Sequence, residues 1–311
     1  MGSEAVLVAA SDPLYPEGGD VFLRTKRWTP WVYVAPALVL LTFFLIYPSI
    51  NTIRLSFFDR RAETFVGFAN YVYSFTNSAM LTAFRNNALW VAVFTTLTVS
   101  FGLILAVLLD RVRYEKIIKS LIFIPMAISM VGASVIWKFV YAYRPAGVAQ
   151  IGLLNSVVVA LGGEPIGWLI ERPWINNLCL IAVGVWMWTG FCMVVLSAAY
   201  KSIPRQLMEA ARIDGATEWQ VFWKVILPLL KPTVAVVTTT MVVFVLKIFD
   251  IVYVMTNGNY STEVIANRMY KEQFSFWNYG RASTIAVILL VLVVPVMLVN
   301  IRRFRQQEAT R

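Results

Sequence analysis

The sequence contains no histidine, which removes imidazole metal sites and the Ser-His and Cys-His nucleophile pairs. No GxxxxGK[ST] phosphate loop occurs either, so any ATP hydrolysis has to be carried by another chain. Cysteine is scarce. Cys179 and Cys192 fall in one expected helix about 20 Å apart along its axis, beyond disulfide reach, and read as core thiols. Charge is scarce too, at 14% of residues against roughly a quarter in soluble domains. The few carboxylates form no spaced set of acid, base or metal ligands, so neither a catalytic nor a metal site is expected in this chain.

Apolar residues are abundant, at 59% of the chain. They gather into six stretches long enough to cross a hydrocarbon core, near 31 to 57, 88 to 109, 117 to 142, 176 to 200, 232 to 256 and 282 to 301. The expected fold is therefore all-α, an integral membrane protein of six transmembrane helices. A net charge of +10 would suit a nucleic-acid partner if it formed one patch. Instead the basic residues sort along the chain. Arg24, Lys26 and Arg27, then Arg111, Arg113, Lys116 and Lys119, then Lys201 to Lys231, then Arg302, Arg303 and Arg305 all fall on one side of alternating spans. The positive-inside rule makes that side cytoplasmic, with both termini on it and membrane lipid, not nucleic acid, as the surrounding partner.

The longest polar interruption is Ile203 to Pro228. Pro204 suits a helix start, Gly215 supplies a left-handed reversal, and Thr217 with Gln220 has the spacing of a capping box. Trp219, Phe222, Trp223 and Ile226 then share one face of a second helix, and Pro228 is expected to end its register. Without further information such a hairpin reads as an amphipathic element lying at the membrane surface. A DNA-binding helix-turn-helix is excluded because Glu209, Asp214 and Glu218 offset Arg205, Arg212 and Lys224.

Glu209-Ala210-Ala211, Gly215, Val225, Leu227 and Pro228 together resemble the EAA signature of the membrane subunits of binding-protein-dependent ABC importers, with valine where isoleucine is usual. Tyr47-Pro48, Phe65-Val66-Gly67 with Asn70-Tyr71, and Phe249-Asp250 with Thr256 and Gly258 resemble other parts of the same permeases. The usual Gly-Gly-Pro after that last segment is missing. The resemblance implies a bacterial plasma (inner) membrane location and a domain plan of tail (1 to 30), six-helix transport domain (31 to 301, coupling loop 203 to 228) and tail (302 to 311). It also implies that Glu209, Ala210, Ala211, Asp214, Gly215, Leu227 and Pro228 couple this chain to an ATPase. Implied partners are a second homologous permease, two ATPase subunits that hold ATP and magnesium, and an extracytoplasmic substrate-binding protein.

The segment Ser120 to Pro145, with Gln150-Ile151-Gly152-Leu153-Leu154-Asn155 and Leu246 to Val252, is similar to the α-glucoside branch, which implies a sugar such as trehalose, sucrose, maltose or glucosylglycerol. Matching the maltose permease's sugar contacts gives Met187, Trp188, Phe191, Met241, Phe244, Val245 and Ile248 here. Aromatic faces at Trp188, Phe191 and Phe244 suit sugar C–H faces, although such a stripe also serves plain packing. Lys247 and Asp250 stand three apart in the fifth expected span, at about 2.5 to 3.5 kcal/mol each for a charge in mid-membrane. They read either as polar lining of a path or as a structural ion pair. Alternatively, they serve a self-contained secondary transporter or channel. Elsewhere a kink or break is expected near Pro48, and a short helix over Ile151 to Leu161.

Overall fold

The computed structural model describes residues 29–170 and 174–309. Residues 1–28 of the expected 1–30 tail, with Arg24, Lys26, Arg27 and Trp28, lie outside the described residues, as do Pro173 and residues 310–311. The chain divides into two compact units, Met1–Asn51 and Thr52–Arg311.

Most of helix α1 (Trp31–Leu55) belongs to the first unit, and it is apolar enough to cross a bilayer. It does not break at Pro48. A π-helical turn over Thr42–Ile46 precedes the proline, with the Tyr47 N–H bonded to the Thr42 carbonyl. Proline donates no hydrogen bond and crowds the carbonyl one turn back; widening that turn accommodates both.

The second unit is built of helices joined by turns and loops, and among its described residues the β structure is limited to one isolated bridge between Phe58 and Phe65. Its elements are α2 (Ala69–Thr76), α3 (Ser78–Leu108), α4 (Glu115–Ala127), α5 (Met130–Val140), α6 (Leu153–Ala160), α7 (Ile175–Lys201), α8 (Arg205–Ile213), α9 (Glu218–Leu246), α10 (Asp250–Met255), α11 (Ile265–Tyr270) and α12 (Tyr279–Ala309). Among the described residues five helices are long and apolar enough to span a membrane, or six if α4 and α5 count as one bent span. The all-α membrane architecture expected from composition is thus observed, including the short α6.

Helices α3 and α7 form the most extensive pair, joined by α9. Trp90 and Phe94 of α3, Leu180, Ile181 and Leu196 of α7, and Met241 and Val245 of α9 interlock in one buried cluster with Cys192. Both cysteines are free. Helix α4 meets α7 at Gly190, where an added Cβ would stand 2.5 Å from the Ile122 carbonyl oxygen and 2.8 Å from Phe123 Cα. Small residues set the spacing of helices in membranes. Gly190→Val is therefore expected to push α4 off α7 and lower the melting temperature, by the roughly 1 to 3 kcal/mol typical of overpacking, as read by thermal scanning in detergent.

Three span boundaries differ from the sequence expectation. Helix α3 starts ten residues early because Asn77 caps it, accepting from Ala79 N at 3.0 Å and Met80 N at 3.4 Å. The third span is not one helix: α4 and α5 meet at 98°. Pro125 tightens the end of α4 into a 3₁₀ turn, Ile128 and Ser129 are extended, and the Ser129 hydroxyl caps α5 through Gly132 N at 3.0 Å. Pro228 does not end its helix, because a π-helical turn over Phe222–Ile226 absorbs it and α9 continues past Pro232 to Leu246.

That extension reassigns the fifth span, which breaks at Lys247, Ile248 and Phe249 before α10 resumes. Lys247 and Asp250 consequently do not share a helix face, and they form no ion pair with each other. Ile248 is buried in the core.

Candidate functional site

The Ile203–Pro228 loop folds on a platform of its own. Tyr200 and Ile203 below α8, Met208 within it, and Val221, Ile226 and Leu230 of α9 form a separate buried cluster. Pro204 is the residue before α8 rather than its first turn, with extended backbone at ψ 125°. Gly215 takes φ +83° and its N–H bonds the Arg212 carbonyl at 3.0 Å, while Ala216 N reaches the Ala211 carbonyl at 3.0 Å. This is the left-handed helix stop that glycine permits. The expected capping box is present, with Thr217 N donating to Gln220 Oε1 at 2.9 Å and Gln220 N to Thr217 Oγ1 at 3.4 Å. Arg212 Nε bridges to Glu218 Oε1 at 2.7 Å across the turn. That hydrogen bond raises the guanidinium further above its ordinary pKa.

With Met208 pinned to the platform, α8 turns Leu207, Ala210 and Ile213 outward, three apart on one face. Ile213 is 85% exposed. Glu209, Asp214 and Gly215 stand exposed around this stripe. Glu209 forms no hydrogen bond or ion pair among the described residues and edges a polar recess of about 420 Å³ with Asp110, Arg205, Arg212 and Glu218. Leu227 and Pro228 lie in α9 itself, half-buried and exposed respectively. The predicted aromatic face is split by the π turn. Trp219 and Trp223 are exposed, while Val221 and Ile226 take the buried positions.

A charged group at the root of the loop escaped the sequence reading. Lys201 Nζ contacts Glu115 Oε1 at 2.6 Å and Asp110 Oδ1 at 3.9 Å, and Lys119 joins Glu115 at 2.5 Å and also reaches Ser197. These residues tie the α3–α4 link to the end of α7. The sequence shows them only as charges flanking spans, without saying which face which.

Midway along the bundle, Trp188, Phe191 and Phe244 do come together. The Trp188 and Phe244 ring centroids lie 4.3 Å apart, and Trp188 and Phe191 lie 5.8 Å apart. All three are half-buried, whereas Met187, Met241, Val245 and Ile248 are buried in this chain's own core. The buried Trp188 indole N–H has no hydrogen-bond partner. Lys247 is exposed and Asp250 half-buried, each without a hydrogen bond or ion pair among the described residues. An unsatisfied buried donor contributes nothing to stability. Trp188→Phe is accordingly expected to leave the melting temperature within about 2 °C while lowering transport several-fold, a split that plain packing would not give.

Residues 98–305 match the family described as the binding-protein-dependent transport system inner membrane component. The chain belongs to that family. It is 62% identical to the osmoprotective compounds uptake permease protein GgtC of a Synechocystis species, over 90% of this chain and all of the relative. It is 49% identical to the alpha-glucoside transport system permease protein AglF of Rhizobium meliloti, over 90% of this chain and 83% of the relative. In fold it resembles a chain of a bacterial ABC transporter involved in the import of the acidic polysaccharide alginate, with TM-score 0.76 at 23% identity, covering 88% of this chain and 96% of that one. The permease resemblance read from the EAA loop is thus borne out. This member of the family is a transport subunit of an inner membrane and not an enzyme, which displaces the self-contained carrier reading.

Proposed function

We propose that this chain is one half of the membrane pore of an ATP-driven importer for neutral α-glucosides, the trehalose, sucrose, maltose and glucosylglycerol class. It pairs with a homologous permease, two ATPase subunits carrying ATP and magnesium, and an extracytoplasmic binding protein. Both termini and the Ile203–Pro228 loop face the cytoplasm. The observation that carries the reading is the exposed apolar stripe Leu207, Ala210 and Ile213 on a helix held rigidly by its own platform, since such surfaces serve protein partners. The kinship with permeases for osmoprotective compounds and alpha-glucosides supports the substrate class.

Glu209, Ala210, Ala211, Asp214 and Gly215 then meet a cleft of the ATPase, with Leu227 and Pro228 at the base of the moving helix. Closure of the ATPases on ATP pushes α8. Because α9 runs unbroken for 29 residues, about 43 Å at 1.5 Å per residue, a push at Gly215 is delivered to the break at Lys247–Phe249, beside Phe244. Trp188, Phe191 and Phe244 supply the ring faces that a sugar slides past, and Lys247 and Asp250 supply polar groups at the break. The test is ATPase activity of the reconstituted complex with its binding protein and a panel of these sugars. Stimulation by at least one α-glucoside is expected. Sugar movement without any ATPase would overturn the reading.

A further inference from the structure

A cleft of about 970 Å³ lies at the end of the bundle away from the coupling loop. It is formed between α5, the segment 141–170, and the stretch from α10 to Tyr260. Its lining includes Tyr143, Tyr253 and Tyr260, all partly exposed, with Lys138, Asn257 and Asn259. The mid-membrane aromatic trio takes no part in it.

One wall of this cleft is held in an improbable backbone. Asn257 (φ +50°), Gly258 (φ +71°), Tyr260 (φ +55°) and Ser261 (φ +60°) are all left-handed, and three of these four are not glycine. Such residues cost of order 1 to 2 kcal/mol each for ordinary side chains, less for asparagine, and persist only when their surroundings enforce them. Here the surroundings do. Lys271 Nζ donates to the Asn257 carbonyl at 2.6 Å, Asn176 Nδ2 to the Tyr260 carbonyl at 2.7 Å, and Asn86 Nδ2 to the Ser261 carbonyl at 2.7 Å. Thr262 Oγ1 closes the turn on the Asn259 carbonyl at 2.6 Å. Buried Asn86 of α3 and Asn176 of α7, half-buried Lys271 just after α11, and Thr262 together therefore fix one short turn. The side-chain amides of Asn257 and Asn259 take part in no hydrogen bond among the described residues.

We propose that this cleft is a second carbohydrate subsite, which holds the glycoside at the outer mouth before it reaches the aromatic trio. The proposal rests on the α-glucoside reading above. Ring faces of Tyr143, Tyr253 and Tyr260 suit the C–H faces of pyranose rings. The Asn257 and Asn259 amides offer both donors and acceptors to vicinal hydroxyls, as a neutral polyol requires. Lys138 donates to the Val254 carbonyl at 3.3 Å and keeps further donors to spare. The volume falls within the range of small-molecule sites. With no carboxylate in the lining, the site suits neutral sugars rather than cationic solutes.

The test uses the complete reconstituted transporter. Asn259→Cys is introduced and labelled with a membrane-impermeant maleimide, with and without trehalose, sucrose or maltose. In parallel, uptake of the three sugars is measured for wild type, Asn259→Ala and Tyr260→Ala. A transported sugar is expected to slow labelling at least threefold. Each alanine variant is expected to lower uptake of that sugar about 3- to 10-fold, the range of one lost hydrogen bond or stacking contact, and to alter the preference among the three. Unslowed labelling with an unchanged preference, in a wild type that imports the sugar, overturns the subsite and leaves the importer reading intact. A wild type that imports none of the three, nor glucosylglycerol, overturns the substrate class and the carbohydrate assignment with it.

Discussion

Gly215→Asp is expected to reduce sugar-stimulated ATPase activity of the assembled complex at least tenfold while leaving the chain folded. The two halves of that expectation have separate causes. A Cβ at Gly215 meets nothing within 4 Å, so no atom has to move to admit a side chain. The backbone at φ +83° is strained by at most about 1 to 2 kcal/mol for a non-glycine residue, less for aspartate. The Arg212–Glu218 bridge, the Thr217–Gln220 capping box and the Met208 platform hold the hairpin from both sides. What changes is the exposed face. A carboxylate there adds to Asp214 at the C-terminal end of α8, where the helix dipole already disfavours negative charge, and it stands on the exposed surface proposed to meet the ATPase. Gly215→Asn, which also tolerates the left-handed region but adds no charge, is expected to retain most of the activity. Co-purification with the ATPase subunits, set beside stimulated ATPase, checks the pair. An aspartate variant with wild-type stimulation would remove the loop from the coupling path.

Replacing Glu272 by alanine is expected to give the largest loss of stability, about 3 to 5 kcal/mol, because it strands a buried charge. Glu272 is 1% exposed and its Oε1 lies 2.6 Å from Arg268 Nη2. The Tyr73 hydroxyl accepts from Arg268 at 2.7 Å and donates to Glu272 at 3.2 Å, completing a triad that ties α2 to α11. Burial works against the Arg268 charge, yet Glu272 and Tyr73 together hold its pKa above the ordinary value. Removing the carboxylate leaves the desolvation uncompensated. A melting temperature lower by roughly 6 to 15 °C follows for a chain of this size. Replacing both Arg268 and Glu272 by methionine, which keeps volume and removes both charges, is expected to recover most of the loss. Thermal scanning of the three variants in detergent decides it. An unchanged melting temperature in Glu272→Ala would show the pair to be solvated.

Much of the functional site was legible in the sequence because it is local. Thr217 and Gln220 find each other three residues apart, and Gly215 is needed wherever a helix stops in a left-handed turn. Asn70, part of the Gly67 to Tyr71 pattern, also acts nearby, donating to the Ser56 and Phe58 carbonyls at 3.0 and 2.7 Å. The misreadings have separate causes. Treating Pro228 as a helix end followed from the α-helical hydrogen-bond pattern, and a single π turn removed the conflict. The break at Lys247, Ile248 and Phe249 separates Lys247 from Asp250.

The sequence by itself determined that this chain crosses a membrane, that its basic residues sort to alternate connecting segments, and that the 203–228 loop is a capped helical hairpin. These follow from hydropathy, charge placement and spacings of three or four residues, which are properties of the chain before it packs. Only the tertiary structure decided which aromatic residues remain reachable, where the fifth span breaks, and how the 257–261 turn is held. Lys271, Asn176 and Asn86 act on that turn from 14 to 175 residues away. Such partners are brought together by helix packing, and no local pattern records them.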